Sequence, residues 1–169
     1  MTPEAAEAPS FSLREHVLPS DRSKIFELLS TGGYFYPREM AYGMALFDEH
    51  LVKGESSSYQ FMLYEQGQGT GLLACGCFGA LPLTDRRFHL HWLAVAGTMH
   101  KKGIGRRLEA ALVARIRLQG GVKIYAEVSN RAYHDRARTF YEHCGYHTAS
   151  TIRDYYGNGD DKILYVKDV

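Results

Sequence analysis

Between His100 and Leu112 the sequence reads HKKGIGRRLEAAL, where two lysines, two glycines and two arginines open an otherwise amphipathic helical pattern. The first turn of an α-helix leaves up to about four backbone N–H groups without partners, and the macrodipole adds partial positive charge at that end. Gly103 and Gly105 let an anion approach the backbone, while Lys101, Lys102, Arg106 and Arg107 surround it with charge. The chemistry on offer is phosphate binding. It is not that of the two commonest phosphate loops, because no GxxxxGK[ST] is present and GIGRRL lacks the third glycine of a dinucleotide-binding turn. A helix that merely starts with solvated basic residues has the same local spelling, so the reading needs support from elsewhere in the chain.

Two other spacings hold residues that do chemistry. Cys75-Gly-Cys77 and His89-Leu-His91 offer zinc-type ligands. Residues two apart share a strand face, but the C-x₂-C loop is missing and the intervening residues are glycine or leucine, so buried strands are expected and no metal. A formal net charge of +1 with a single basic cluster argues against nucleic acid or an anionic membrane as partner. The three cysteines are too few and too odd for a disulfide framework and suit a reducing compartment. No apolar run reaches the ~18 residues of a membrane span. MTPEAAEAPS is acidic where a signal peptide is basic, so a cytoplasmic location is expected.

These residues need elements to position them. The 169 residues fit one domain over 11–169, with 1–10, rich in Ala, Glu and Pro, as a loose tail. FSLREHV predicts a strand, and LPSDRSKIFELLSTGGYF a helix capped by Ser20 or Asp21 with Ile25, Leu28 and Leu29 buried. A second helix is predicted from Pro37 to Lys53. YQFMLYE, GLLACGCFGA and RFHLHWLAV read as an antiparallel meander. The basic turn and its helix follow, then the strand VKIYAEV. The next helix places Tyr133, Ala137, Phe140 and Cys144 on one side, and HTASTIRDYY with DKILYVKDV forms a hairpin across GNGD. The strand alternation puts His89, His91, Leu93 and Val95 on a common face. The order β α α β β β α β α β β is an α+β layout whose strand-helix-strand unit sets two strands parallel.

With LAV ending the strand just before it, LAVAGTMHKKGIGRRL resembles the acyl-CoA signature of the GNAT superfamily of N-acyltransferases, Q/R-x-x-G-x-G/A at the opening of a helix. His100 stands where that family has Gln or Arg. RTFYEHCGY, from Arg138 to Tyr146, resembles the family's FY-x-x-x-G-F/Y helix end at the expected distance downstream. GYFYPRE, HWLAV, AEVS and RDYYGNGDDKILYVK extend the likeness over nearly the whole chain, toward a bacterial subgroup of unidentified acceptor.

The resemblance implies a mixed, largely antiparallel sheet with a splayed parallel central strand pair and about four helices. It implies acetyl-CoA as co-substrate and acetyl transfer to a primary amine of a small molecule or peptide by direct attack on the thioester. A non-catalytic acyl-CoA sensor is the alternative, and the chain would be a monomer or homodimer. Leu93, Ala94 and Val95 would pair with pantetheine. His100, Lys101, Lys102, Gly103, Ile104, Gly105 and Arg106 would hold the diphosphate. Tyr141 would be the general acid, and Glu127 or His91 the base. An Asn seven residues before the FY tyrosine often touches the cofactor; this chain has His134 there and Asn130 earlier. Tyr34, Phe35, Tyr36, Glu39, Asp154, Tyr155 and Tyr156 would line the acceptor pocket.

Overall fold

The computed structural model describes residues 11–67 and 71–169; the expected tail, residues 1–10, lies outside them. The elements follow the predicted order: β1 (Phe11–Arg14), α1 (Asp21–Thr31), α2 (Pro37–Lys53), β2 (Gln60–Gln66), β3 (Gly71–Ala80), β4 (Arg87–Val95), α3 (Ile104–Leu118), β5 (Lys123–Ser129), α4 (Asp135–His143), β6 (His147–Gly157) and β7 (Asp160–Asp168). Local chemistry sets the ends. Pro37 supplies the φ of a first helical position to α2, and the Glu39 carboxylate accepts the Tyr36 N–H at 2.6 Å. At α1 the predicted cap differs: Ser20 makes no capping bond, and the Asp21 carboxylate accepts the Leu18 N–H and two N–H bonds from Arg14.

The sheet has seven strands in the order β1-β2-β3-β4-β5-β7-β6, antiparallel throughout except for β4 beside β5. That parallel pair is in register only at Arg87↔Lys123, Phe88↔Ile124 and His89↔Tyr125. Beyond it, β4 stays with β3 as far as Val95↔Ala74 and β5 stays with β7 as far as Ser129↔Lys162. The two central strands therefore part toward their C-terminal ends and leave a V-shaped opening.

Each face of the sheet carries a core. On one, Ile104, Leu108, Leu112, Ile116 and Tyr141 of α3 and α4 cover Phe88, Leu90, Ile124, Ala126 and Tyr165. On the other, Ile25, Leu28, Leu29, Met44 and Phe47 of α1 and α2 cover Phe61, Leu63, Cys75, Cys77, Trp92 and Ala94. Among the described residues no helix is long and apolar enough to cross a membrane.

Two expectations are corrected. Leu90 pairs with Phe78 and Trp92 with Cys77, so His91 is an extra, bulged residue in β4. A bulge reverses the facing of everything beyond it. Phe88 and Leu90 thus belong to the α3/α4 core, Trp92 and Ala94 to the α1/α2 core, and Leu93 and Val95 pack back on the α3/α4 side. The common face foreseen for His89, His91, Leu93 and Val95 is split at His91. Tyr133 likewise leaves the buried side of its helix. It lies in a 3₁₀ turn, Ala132–His134, ahead of α4, 40% exposed with its ring stacked on Tyr36 at 4.4 Å.

Candidate active site

The mouth of the V is where the basic turn lies. After Val95 the chain makes a 3₁₀ turn at Gly97–Met99, then Lys101 (φ +62) and Gly103 (φ +78) adopt left-handed conformations before α3 begins at Ile104. A lysine in that region is strained by about 1 kcal/mol or more, a feature concentrated at functional sites. The backbone N–H groups from Lys101 to Arg106 make no well-formed hydrogen bond with the described residues, and no side chain caps the helix. Lys101, Lys102, Arg106 and Arg107 are exposed around them. Free amides, the positive end of a helix dipole and exposed cations are together the elements that an anion site requires. Gly105 lets this helix end sit close: a Cβ there would lie 3.1 Å from the Phe140 ring and 3.4 Å from Val95 Cγ2.

His100 holds the turn from behind. Its Nε2 lies 2.9 Å from the Val95 carbonyl oxygen and its Nδ1 2.8 Å from the Tyr34 hydroxyl. A carbonyl only accepts, so Nε2 carries the proton and Nδ1 accepts from Tyr34. Arg136 donates to the same hydroxyl at 3.1 Å. Tyr34 therefore faces the basic turn, not the far pocket, and His100 is a brace with both ring nitrogens occupied.

Tyr141 lies on the α3/α4 side, buried against Tyr146 (ring centroids 5.2 Å) and Tyr165 (5.8 Å). Burial, reinforced by the charges of Cys144 and Glu109, pushes its phenol well above the ordinary value, so it holds its proton at neutral pH. Glu127 alternates along β5 with Ala126 and Val128, which belong to the α3/α4 core, and so points to the opposite face. There it meets Lys162 at 3.1 Å, whose ammonium also lies 3.9 Å above the Tyr155 ring. His91 sits on that side as well, edge-on to Tyr59 (5.2 Å) and His89 (4.4 Å). Both imidazoles are pushed down to about 4, first by burial, then by Lys162 at His89 and by His89 at His91. His91 Nδ1 and His89 Nε2 are buried with no hydrogen-bond partner among the described residues. Tyr141, the candidate acid, and the two base candidates thus stand on opposite sides of the sheet, with the parted strands between them.

Two positions singled out for cofactor contact have other partners. Asn130 Oδ1 accepts the Asp161 N–H at 3.0 Å and ties β5 to β7. His134 is buried edge-on to Tyr36, its Nε2 3.3 Å from a Glu39 oxygen. Of the foreseen acceptor lining, Tyr36 and Tyr156 line one cavity, Glu39 is tied to Tyr36, and Tyr155 packs edge-on to Tyr156 beneath the Lys162 ammonium that meets Glu127. Burial and the Glu127 charge raise the Tyr156 phenol well above its ordinary value, with smaller contributions from Tyr155, Glu39 and Asp160. Phe35 packs on the α1/α2 core. Asp154 (φ +52) shapes the hairpin tip, accepting the Gly159 N–H at 2.6 Å. The structure adds Arg38, Arg131, Asp160 and Lys162 to this region. Only the inward phase of Asp160 and Lys162 along the last strand signals them in the sequence.

A mixed sheet opened between two parallel strands, with a cationic helix start at the opening, is a fold class that this chain shares with solved acetyltransferases. The family model of the GNAT acetyltransferases matches residues 23–146. The chain belongs to that family. A protein of Desulfovibrio desulfuricans assigned to the GNAT family is 32% identical, covering 94% of this chain and 99% of its own, with a TM-score of 0.89. The ribosomal-protein-S18-alanine N-acetyltransferase of Escherichia coli shares the fold at 17% identity (95% and 94% covered, TM-score 0.69). So does an aminoglycoside 6'-N-acetyltransferase complexed with coenzyme A, at 19% identity (93% and 96% covered, TM-score 0.71). A search of curated proteins finds no match.

Proposed function

We propose that this protein transfers the acetyl group of acetyl-CoA to a primary amine of a small molecule or peptide. The observation that carries the reading is the run of bare amides from Lys101 to Arg106 at the mouth of the β4/β5 opening. The diphosphate sits on those amides, with Lys101, Lys102 and Arg106 around it. Pantetheine extends along Leu93 to Val95, in the gap that β5 vacates. The acceptor approaches from the Glu127 side.

Attack by a neutral amine forms the N–C bond and a tetrahedral oxyanion, which backbone N–H groups at the parted strand end stabilise. Glu127 or His91 takes the proton released by the attacking nitrogen, directly or through water. Collapse breaks the C–S bond, and the leaving thiolate takes the proton of Tyr141. Burial keeps this phenol protonated at neutral pH and by the same cause makes it a weaker acid, so its donation is the step that Tyr141→Phe tests. Separate faces for acid and base keep the two proton transfers from short-circuiting.

Thermal unfolding with added CoA or acetyl-CoA tests the cofactor reading. Saturation at about a hundredfold over Kd adds about 2.7 kcal/mol, or roughly 5–10 °C in Tm for a chain of this size. An unchanged Tm at saturating acetyl-CoA removes it. Release of free thiol on adding pooled amines, amino acids and peptides tests transfer.

A further inference from the structure

Resting on the acetyltransferase reading, we infer that the acceptor carries a carboxylate as well as its amine, and that Arg38 and Arg131 bind it. An open cavity of about 550 Å³ is lined by Tyr36, Pro37, Arg38, Arg131, Tyr156, Gly157 and Asp160, between the start of α2, the end of β5 and the β6–β7 hairpin. Its charge is unbalanced. Arg38 and Arg131 both reach toward one oxygen of Asp160, at 3.9 and 3.6 Å, too far for hydrogen bonds. The other oxygen of Asp160 is held by the Ser129 hydroxyl. Two guanidinium groups thus face a single buried carboxylate, and neither hydrogen-bonds to it.

The donors are also unspent. Arg38 makes no hydrogen bond with the described residues and stacks on Tyr36 at 5.8 Å, whereas Arg131 uses one side-chain N–H, on the Asn158 carbonyl oxygen at 3.0 Å. Of the other acidic neighbours, Glu39 spends one oxygen on the Tyr36 N–H, its other oxygen lying 3.3 Å from His134 Nε2 without a hydrogen bond, and Asp161 accepts the Asp154 N–H. Planar guanidinium forks match a carboxylate, which can take two parallel N–H bonds from each.

Tyr156 connects this cavity to the reacting end, since it lines the cavity and its phenol feels both Glu127 and Asp160. An acceptor lying along Tyr156 would put its amine beside Glu127 and its carboxylate between the arginines. Free amino acids and peptides with an acidic residue near the N-terminus share this chemistry.

Matched acceptors test the inference. 5-Aminopentanoate and 5-aminopentanamide share an amine and differ in the charge at the far end; peptides with glutamate or glutamine at the second position make the same comparison for the other source. The carboxylate member of at least one pair is expected to show a KM about tenfold lower or better, the value of one good charge-assisted contact at a half-exposed site. That pair identifies the source. Arg38→Ala and Arg131→Ala should each erase the difference by raising KM for the charged acceptor, with kcat within about twofold. Equal KM values in both pairs, or a preference that survives both substitutions while amines are still acetylated, overturns the inference and leaves the acetyltransferase reading standing. Absence of transfer to any amine overturns both, and the acetyl-CoA shift in Tm then shows whether the cofactor site survives.

Discussion

Lowering the pH from 7.5 to 5 should destabilise this protein through His89 and His91, by an amount the structure sets. Each imidazole titrates near 6.5 in the unfolded chain and is pushed down to about 4 in the fold. Between those values the unfolded state binds more protons, so stability rises with pH across the window and is lost as pH falls from 6.5 toward 4. At pH 5 a single group of this kind costs about 2 kcal/mol relative to pH 7.5, and the pair about 4 kcal/mol. For a chain of this length that is a drop of roughly 8–16 °C in Tm. The neighbours that set the shift are each other, Lys162 and Glu127. Circular dichroism melts at both pH values, on the wild type and on His89→Gln/His91→Gln, measure it. The double variant should lose most of this pH dependence. Parallel curves for the two proteins would refute the burial reasoning. The same depression bears on catalysis: if His91 takes the amine proton, the acidic limb of kcat/KM lies near pH 4 and vanishes in His91→Gln.

Tyr141→Phe should lower kcat by roughly ten- to a thousandfold with CoA affinity nearly unchanged, read from steady-state kinetics and a CoA titration. Gly105→Val should raise the KM for acetyl-CoA and lower Tm together, because even a Cβ there meets the Phe140 ring at 3.1 Å; Gly103→Ala meets no atom within 4 Å and should cost only the backbone term of about 1–2 kcal/mol. His100→Ala should weaken acetyl-CoA binding several-fold by freeing Val95 and Tyr34, and Tyr34→Phe should reproduce part of that loss. Calorimetric Kd values for the two variants check it.

Much of the fold was legible because local chemistry marks it. Pro37 and Gly54 bracket α2, and β3 and β4 run over the residues predicted for them. The basic turn and the FY helix end were readable as motifs. The bulge at His91 was not, since HLHW alternates without interruption and the extra residue is defined only by the pairing of β4 with β3. Nor could local spacing show that His100 would reach Tyr34, 66 residues away, or that Arg38 and Arg131 would meet at Asp160. Such contacts are created by the sheet order, in which β7 inserts beside β5 and brings the last hairpin back to the first two helices. Tyr133 was misplaced because helical periodicity continues through a turn that the ties of Asn130 and Arg131 to the β7 end hold out of α4.

The imidazole of His100 joins two territories that a designer would treat as separate modules. One nitrogen steadies the strand end where the thioester arm would lie, and the other steadies the segment leading to the amine pocket. Transplanting the segment from Tyr34 to Glu39 from a relative to change acceptor preference would therefore also disturb cofactor affinity, unless the partner at position 100 travelled with it.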